Sequence, residues 1–182
     1  VLLEEGLPQA VRAVCSTLEM GGYAAYVVGG GVRDLLLGRM PEDWDVCTSA
    51  RPEQIQTLFS KTVPTGVRHG TITVLSDGLP IEVTAFRAEQ GYSDGRHPDT
   101  VRFGVSLEED LARRDFTIGA MAFRPATGVL SDPFHGRRDL QERRIRCVGV
   151  PIQRFLEDSL RIFRAVRFSA QLGFSIEPET LD

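Results

Sequence analysis

The sequence is poor in cysteine and in long apolar runs, and each shortage excludes a class of protein. Its 182 residues include three cysteines, Cys15, Cys47 and Cys147, none close to another. This fits neither a disulfide framework nor a zinc site and indicates a reducing compartment. There is no apolar run of about 18 residues, so no membrane span is expected. Residues 1–20 also lack the order of a signal peptide, and a cytoplasmic location is therefore predicted.

Lysine is nearly absent, and the charges are unevenly distributed. Lys61 is the one lysine among 21 basic residues, and the carboxylates are concentrated in the first half while arginines dominate the second. The net charge of −4 argues against a globally basic nucleic-acid binder. Apolar residues make up 42% of the chain, which is enough for a packed core in one domain, or in one domain plus a fragment of the next.

The apolar spacing predicts alternating strands and helices. A helix is predicted at 8–20, a buried strand at 24–28, a strand at 43–47 and a β-hairpin at 71–86. This alternation indicates an α/β or α+β domain. Residues 87–100, which are rich in glycine and polar side chains, are predicted to form a long mobile loop, and such loops tend to be functional.

A pair of aspartates is the first candidate for chemistry. On the predicted strand, Asp43 and Asp45 would point the same way, with Trp44 on the other face. Two adjacent carboxylates repel each other unless a cation lies between them, and hard oxygen ligands suit Mg²⁺. For an isolated pair of this kind, an exposed turn is the simpler alternative.

A glycine turn precedes this pair. Gly29 and Gly30 end the predicted buried strand, and Arg33 lies in the helix that follows. Glycine amides and a helix N-terminus form a phosphate cradle, to which Arg33 adds a bidentate contact; a tight turn alone is the alternative. A cradle followed by a two-carboxylate strand indicates nucleotidyl transfer. Glu82 is the candidate third carboxylate, because its apolar neighbours would face the core, although it could be an ordinary exposed residue.

Two arginine-rich segments follow. In the segment Arg113-Arg114-Asp115, the arginines match the dipole of a helix C-terminus or, alternatively, the segment contacts ribose and triphosphate. One long helix is predicted from 152 to 172, with a polar stripe formed by Asp158, Arg161, Arg164 and Arg167. A solvated face with ion pairs is the simplest interpretation of the stripe. As an alternative, Asp158 and Arg161 would read the edge of a base while Arg164 and Arg167 neutralise phosphates.

Five ordered segments carry a family resemblance that covers nearly the whole chain. They are YVVGGGVRDLLLGRMPEDWDV, TGVRHGTITV with IEVTAFR, RRDFTIGAMAF, DPFHGRRDLQERRIR and RFLEDSLRIFRAVRFSAQLGF. In this order they resemble the head and early neck of class II tRNA nucleotidyltransferases, the bacterial-type CCA-adding enzymes. These enzymes belong to the polymerase β-like nucleotidyltransferase superfamily, and bacterial poly(A) polymerases share their head.

The resemblance implies a fold and a reaction. The fold is a mixed sheet flanked by helices in a head domain, residues 1–148, followed by the start of a helical neck, residues 149–182, with body and tail missing from the chain. The reaction is Mg²⁺-dependent addition of CMP and AMP, from CTP and ATP, to the 3′ end of tRNA, which is held mainly by body and tail. The oligomeric state is left open.

The resemblance also implies roles for individual residues. Asp43 and Asp45 match the metal-binding pair, and Glu82 matches the third catalytic carboxylate. Asp158 and Arg161 match an amino-acid template that hydrogen-bonds the incoming C or A. The full set of implied nucleotide contacts is Gly29, Gly30, Arg33, Arg114, Asp115, Asp158, Arg161, Arg164 and Arg167.

Departures from the family pattern and rival functions remain. Gly119 replaces the usual asparagine after the RRD motif, and Ser159 replaces a common proline. A poly(A) polymerase would be expected to carry a more basic segment at 66–71, which favours CCA addition, and the presence of loop 87–100 favours AMP addition. Two more functions compete with CCA addition: that of an enzyme that adds only A, and that of a nucleotide-binding regulatory module without turnover.

Overall fold

The computed structural model describes residues 3–181. The helices in this part are α1 (Gln9–Met20), α2 (Gly30–Leu36), α3 (Pro52–Leu58), α4 (Leu107–Ala112), α5 (Gly136–Gln141), α6 (Pro151–Glu157), α7 (Leu160–Leu172) and α8 (Pro178–Leu181). The strands are β1 (Ala25–Val28), β2 (Asp45–Thr48), β3 (Thr62–Gly66), β4 (Thr71–Ser76), β5 (Leu79–Ala85), β6 (Arg87–Gln90), β7 (Thr100–Phe103), β8 (Ala122–Arg124), β9 (Val129–Ser131), β10 (Arg144–Ile145) and β11 (Ser175–Ile176). None of the described helices is long and apolar enough to cross a membrane.

A mixed seven-stranded sheet forms the centre of the molecule. Its strand order is β3-β4-β5-β2-β1-β8-β9, in which β2 and β5 run parallel and the other neighbours antiparallel. Two small sheets pair β6 with β7 and β10 with β11. The predicted fold class, a mixed sheet flanked by helices, is confirmed.

The core lies against the sheet on more than one side. The main apolar cluster includes Val11, Val14 and Leu18 of α1, because this helix presents apolar side chains at intervals of three and four residues. A second cluster joins Val28 of β1 to Leu111 of α4. Full burial of a side chain of this size contributes about 1.5–3 kcal/mol to the free energy of unfolding. The strands that carry polar groups at their ends are therefore anchored in a well-packed core.

The predicted strand at 43–47 is displaced in the structure. Strand β2 begins at Asp45, and Asp43 lies in a bend before it. Trp44 is buried and packs against Gly31 of α2, where an added Cβ would lie 3.2 Å from the indole ring. The expectation that both aspartates belong to one strand was therefore wrong.

The predicted long helix at 152–172 is two helices. Asp158 is extended, with φ −144° and ψ 102°, and its Oδ1 accepts a hydrogen bond from the Leu160 amide at 3.0 Å. The side chain thus accepts from the first amide of α7 in an Asx turn, a local bond that aspartate commonly makes. Arg161 is buried and does not lie on a solvated face, whereas Ile162 and Val166 of the same helix are exposed.

The predicted mobile loop at 87–100 is largely a hairpin. β6 and β7 pair in antiparallel fashion, which leaves 91–99 as its tip. The tip contacts the junction between α6 and α7, where the Ser159 amide donates to the Gly95 carbonyl at 3.2 Å. The division at residue 148 stays a prediction; β10 and β11 pair across it.

Candidate active site

The glycine turn lies at the end of the central strand β1. Gly29 has a φ of +68°, a conformation that favours glycine, and α2 begins at Gly30. A Cβ on Gly29 would lie 3.3 Å from Arg114 Nη1 and 3.6 Å from Asp45 Oδ2. A guanidinium and a carboxylate therefore both lie next to the space that a side chain at this position would occupy.

Three carboxylates form what we call the acidic edge: Asp43, Asp45 and Glu82. Asp45 pairs in register with Glu82 across the parallel strands β2 and β5, which places both side chains on one face of the sheet. Asp43 and Glu82 are exposed, and Asp45 is half-buried. Among the described side chains, none forms a salt bridge with these three.

The electrostatics of Asp45 reflect this crowding. Burial is the main cause that raises the pKa of Asp45 above its ordinary value, and the charge of Arg114 opposes it. The neighbouring charges of Glu82 and Asp43 raise the pKa further. The acidic edge is thus a set of like charges whose repulsion a bound cation would relieve.

A cavity of about 400 Å³ opens beside the glycine turn. It brings together most of the residues that the sequence predicted: Gly29, Gly30, Arg33, Asp45, Arg114, Asp115, Asp158, Arg161 and Arg164. Asp43 and Glu82 flank Asp45 outside the lining, and Arg167 lies with its guanidinium 5.1 Å from the Phe168 ring. Residues from α2, β2, α7 and the segment that follows α4 therefore converge on one concave surface.

Five of the seven arginines that line the cavity, Arg33, Arg113, Arg114, Arg161 and Arg164, are called the arginine wall. Each lies within salt-bridge distance of a carboxylate. The Asp34 carboxylate accepts two hydrogen bonds from Arg33, from Nε at 2.8 Å and from Nη2 at 3.0 Å, and the Arg33 guanidinium also lies 5.3 Å from the Phe168 ring. Carboxylates of the protein therefore lie close to every guanidinium of the wall in the absence of a ligand.

Arg161 is anchored by three acceptors on the helical side of the cavity. It donates to Glu157 Oε2 at 2.8 Å and to the carbonyls of Arg154 at 3.1 Å and Arg113 at 3.3 Å. These bonds tie α7 to the end of α6 and to the end of α4. Asp158, which also lines the cavity, bonds the α7 backbone rather than Arg161, so the two side chains are available as separate polar groups.

Asp115 lines the cavity and lies close to Arg164. Its Oδ1 accepts from the Phe116 amide at 2.8 Å, and Arg164 Nη2 lies 2.8 Å from its Oδ2, although without hydrogen-bond geometry. Gly119, which replaces the family asparagine, also lines the cavity, and a Cβ there would lie 3.8 Å from Asp115 Oδ1. Within the described contacts, the replacement leaves open space beside this carboxylate.

The sequence reasoning missed a network on the hairpin side of the cavity. Glu89 Oε1 accepts from Arg87 Nε at 2.8 Å and from Arg113 Nη1 at 3.2 Å, and its Oε2 accepts from the Tyr92 hydroxyl at 2.7 Å. Burial raises the pKa of Glu89, but the charges of Arg113 and Arg87 outweigh it and leave this pKa below its ordinary value. The alternation of Arg87 and Glu89 was the available signal, and it was hidden because the segment was taken for a loop.

This chain resembles known proteins over most of its length. The family model described as the poly(A) polymerase head domain matches residues 25–146. The chain belongs to this family. Among curated relatives, the CCA-adding enzyme of Levilactobacillus brevis is 52% identical to this chain over 180 residues. The alignment covers 97% of this chain and 45% of the relative. The CCA-adding enzyme of Lactobacillus helveticus is 53% identical over 167 residues, covering 92% and 42%.

Solved structures agree with the head-domain assignment. The Bacillus stearothermophilus CCA-adding enzyme in complex with CTP has a TM-score of 0.87 and 46% identity, covering 94% of this chain and 41% of that one. The Thermotoga maritima CCA-adding enzyme complexed with tRNA has a TM-score of 0.76 and 31% identity, covering 99% and 42%. The chain thus spans less than half the length of these relatives, and the family resemblance seen in its motifs is confirmed.

Proposed function

We propose that this chain carries the catalytic head of a tRNA nucleotidyltransferase that adds CMP and AMP, from CTP and ATP, to the tRNA 3′ end. The observation that carries the proposal is the meeting of Gly29, Asp45 and Arg114 at one point of a cavity that Asp158 and Arg161 also line. The similar proteins are named CCA-adding enzymes, and one solved relative holds CTP. A cytoplasmic location fits three free, buried cysteines.

Magnesium is the proposed cofactor. The donor set fits it, because Asp43 and Asp45 supply hard oxygen ligands that lack basic partners among the described side chains, with Glu82 beside them. Within residues 3–181, no group of three or more His, Cys, Asp or Glu side chains is arranged as a complete metal site. Mg²⁺ commonly takes only one or two carboxylates and fills its shell with water and substrate phosphates. When bound, it would supply Lewis-acid stabilisation of the charge on the phosphates.

Different groups of the protein then contact different parts of the nucleotide. The amides of Gly29 and Gly30, together with Arg33, hold phosphate oxygens, and Arg114 with Asp115 positions the ribose. These contacts hold the α-phosphorus in line with the tRNA 3′-oxygen that attacks it while pyrophosphate leaves. Arg164 and Arg167 lie on α7 as further cations for developing negative charge.

Base choice is assigned to Asp158 and Arg161. Arg161 offers fixed donors because three acceptors hold its guanidinium, and Asp158 offers an acceptor at the joint between α6 and α7. U and G would leave polar groups of this pair without partners. An unpaired buried polar group costs about 1–3 kcal/mol, which is sufficient to discriminate between bases.

Poly(A) synthesis is the second candidate, since the matching family model is named for a poly(A) polymerase head domain. The two activities differ in their use of CTP. An enzyme that adds only A shares the same head and differs in the same way.

Nucleotide incorporation tests the proposal. The chain is incubated with Mg²⁺ and tRNA lacking its last three, two or one residues, with labelled CTP or ATP. We expect CMP on the first two substrates and AMP on the third, and transfer reduced about a thousandfold by Asp45→Asn. AMP alone on every substrate would favour an A-adding or poly(A) enzyme. CTP binding without transfer would favour a regulatory module.

A further inference from the structure

Asp110 of α4 is a fully buried carboxylate that lies behind the arginine wall. Its side chain is 0% exposed. Oδ1 accepts from Arg113 Nε at 3.2 Å, from Arg113 Nη2 at 3.1 Å and from the Arg87 amide at 3.1 Å, and Oδ2 accepts from Arg114 Nη2 at 3.4 Å. One carboxylate therefore joins the end of α4, the start of β6 and two consecutive arginines.

The charge of Asp110 offsets the crowding of cations. Arg87, Arg113 and Arg114 all line the cavity. Burial and the charge of Arg113 lower the pKa of Arg87. For Arg114, burial lowers the pKa, but the charge of Asp110 leads the opposing causes and leaves the pKa raised. Without a carboxylate at this position, neighbouring guanidiniums would repel one another in a partly desolvated space.

Arg114 depends on Asp110 for its orientation. Among the described contacts, Asp110 is the only hydrogen-bond acceptor for the Arg114 side chain, whereas Arg113 is held by Glu89 as well. Arg114 Nη1 reaches within 3.3 Å of the place where a Cβ on Gly29 would stand. The Asp110 carboxylate thus fixes the guanidinium that lies against the glycine turn.

We propose that Asp110 is a positioning residue for nucleotide binding, which aims Arg114 at the nucleotide held by the glycine turn without touching that nucleotide itself. This proposal rests on the proposed function, since it assumes that a nucleoside triphosphate occupies the cavity. Removing the Asp110 charge should release Arg114 from the glycine turn and weaken nucleotide binding.

The chain offers a matched control in Asp139 of α5. Asp139 is 1% exposed and lies in a helix of six residues, as Asp110 does. It accepts from Thr117 Oγ1 at 2.6 Å and from Arg146 Nε at 3.2 Å, and it does not line the cavity. Asp139→Asn therefore removes a buried, arginine-paired carboxylate without disturbing the arginine wall.

The test compares CTP binding and thermal unfolding of Asp110→Asn and Asp139→Asn. Calorimetry with Mg²⁺ and CTP should show binding weakened by about 10- to 100-fold for Asp110→Asn, because the loss of one partner leaves a buried charge without its anchor. Asp139→Asn should lower the unfolding temperature similarly while its CTP affinity stays within about twofold of the wild type. Equal weakening in both variants, or none in Asp110→Asn, would overturn the proposal.

A second pair of variants covers the case in which Asp110→Asn does not fold. Asp110→Glu keeps the charge but displaces the carboxylate by one methylene, so it should fold and still weaken CTP binding, whereas Asp139→Glu should not. Wild-type CTP affinity in Asp110→Glu would then overturn the proposal. Because binding is measured without turnover, a wild-type chain that binds CTP but transfers nothing defeats the proposed function while the role of Asp110 is still decided.

Discussion

The acidic edge and the arginine wall meet at the glycine turn, and they differ in whether their charges have partners of opposite sign within the protein. Each arginine of the wall is within salt-bridge distance of a carboxylate. Asp43, Asp45 and Glu82 have no such partner among the described side chains. Burial and neighbouring carboxylates raise the pKa of Asp45, whereas arginines hold that of Glu89 low. One side is preorganised by the protein, and the other is completed by what binds.

This contrast makes opposite predictions for stability. Removing a carboxylate from the acidic edge takes away repulsion, so the fold should tolerate it. Removing Asp110, a fully buried carboxylate that supports the wall, leaves the part-buried guanidinium of Arg114 without its described acceptor, which is destabilising. Substitutions in the acidic edge should therefore reduce nucleotide transfer without lowering stability. Substitutions in the carboxylates that support the wall should reduce both.

The largest effect is expected for Asp45→Asn. Transfer should fall by about a thousandfold, because several kcal/mol of transition-state stabilisation depend on the metal that Asp45 would hold. The unfolding temperature should not fall, since a crowded charge is removed. Single-turnover assays and thermal unfolding measure the two effects, and Asp77→Asn in the β4–β5 turn is the control. Retained transfer, or loss of the fold, would break the comparison.

Base selectivity distinguishes two residues on the helical side of the cavity. Asp158→Ala and Arg161→Ala should each raise misincorporation of UTP and GTP by up to about 100-fold, as unpaired polar groups no longer reject them. Arg161→Ala should also cost about 1.5–3 kcal/mol of unfolding free energy, because it removes the hydrogen bonds of a buried guanidinium to Glu157 and to two carbonyls, although Glu157 keeps its salt bridge to Arg154. Asp158→Ala should lose only its Asx-turn bond to Leu160, about 1 kcal/mol. Urea unfolding separates them, and unchanged selectivity in both would refute the template assignment.

The glycine turn itself can be tested against a matched glycine. Gly29→Ala and Gly38→Ala both place alanine at a φ near +70°, and the ψ of −133° at Gly29 adds further backbone strain at that position. Only at Gly29 does the new methyl meet Arg114 and Asp45, since nothing lies within 4 Å at Gly38. CTP binding should weaken about tenfold in Gly29→Ala alone, because small displacements at a phosphate site are costly. Equal affinity in the two variants would show that the turn does not contact nucleotide.

The smallest effect is expected in the pH dependence of the free energy of unfolding, to which the carboxylate of Glu89 contributes through its bonds to Arg87 and Arg113. Because the pKa of Glu89 is below its ordinary value of 4.5, its contribution to stability is present above pH 4.5 and is lost as the pH falls through the lowered value. Glu89→Gln should therefore flatten the decline of unfolding free energy at acid pH. Urea titrations at a series of pH values measure this slope. An unchanged slope would show that the charge of Glu89 does not stabilise the fold.

The sequence predicted the acidic edge better than the wall. Alternation along β5 was enough to predict that Glu82 leaves the core, but only the sheet order shows that it stands beside Asp45. Arg161 was placed on a solvated stripe because helical periodicity assigns apolar residues to the interior, whereas here Ile162 and Val166 are exposed and the arginine is buried. Asp110 was overlooked because an acidic residue in the first turn of a helix ordinarily faces solvent.

The in-register pairing of β2 with β5 limits how such chains can change in length. Because side chains alternate between two faces, inserting or deleting one residue within either strand would turn Asp45 and Glu82 to opposite faces. An insertion in the tip 91–99 alters no pairing of the central sheet, since β6 and β7 form a separate ribbon. Natural length variation among homologous chains is therefore expected to accumulate at the tip and to spare the two central strands.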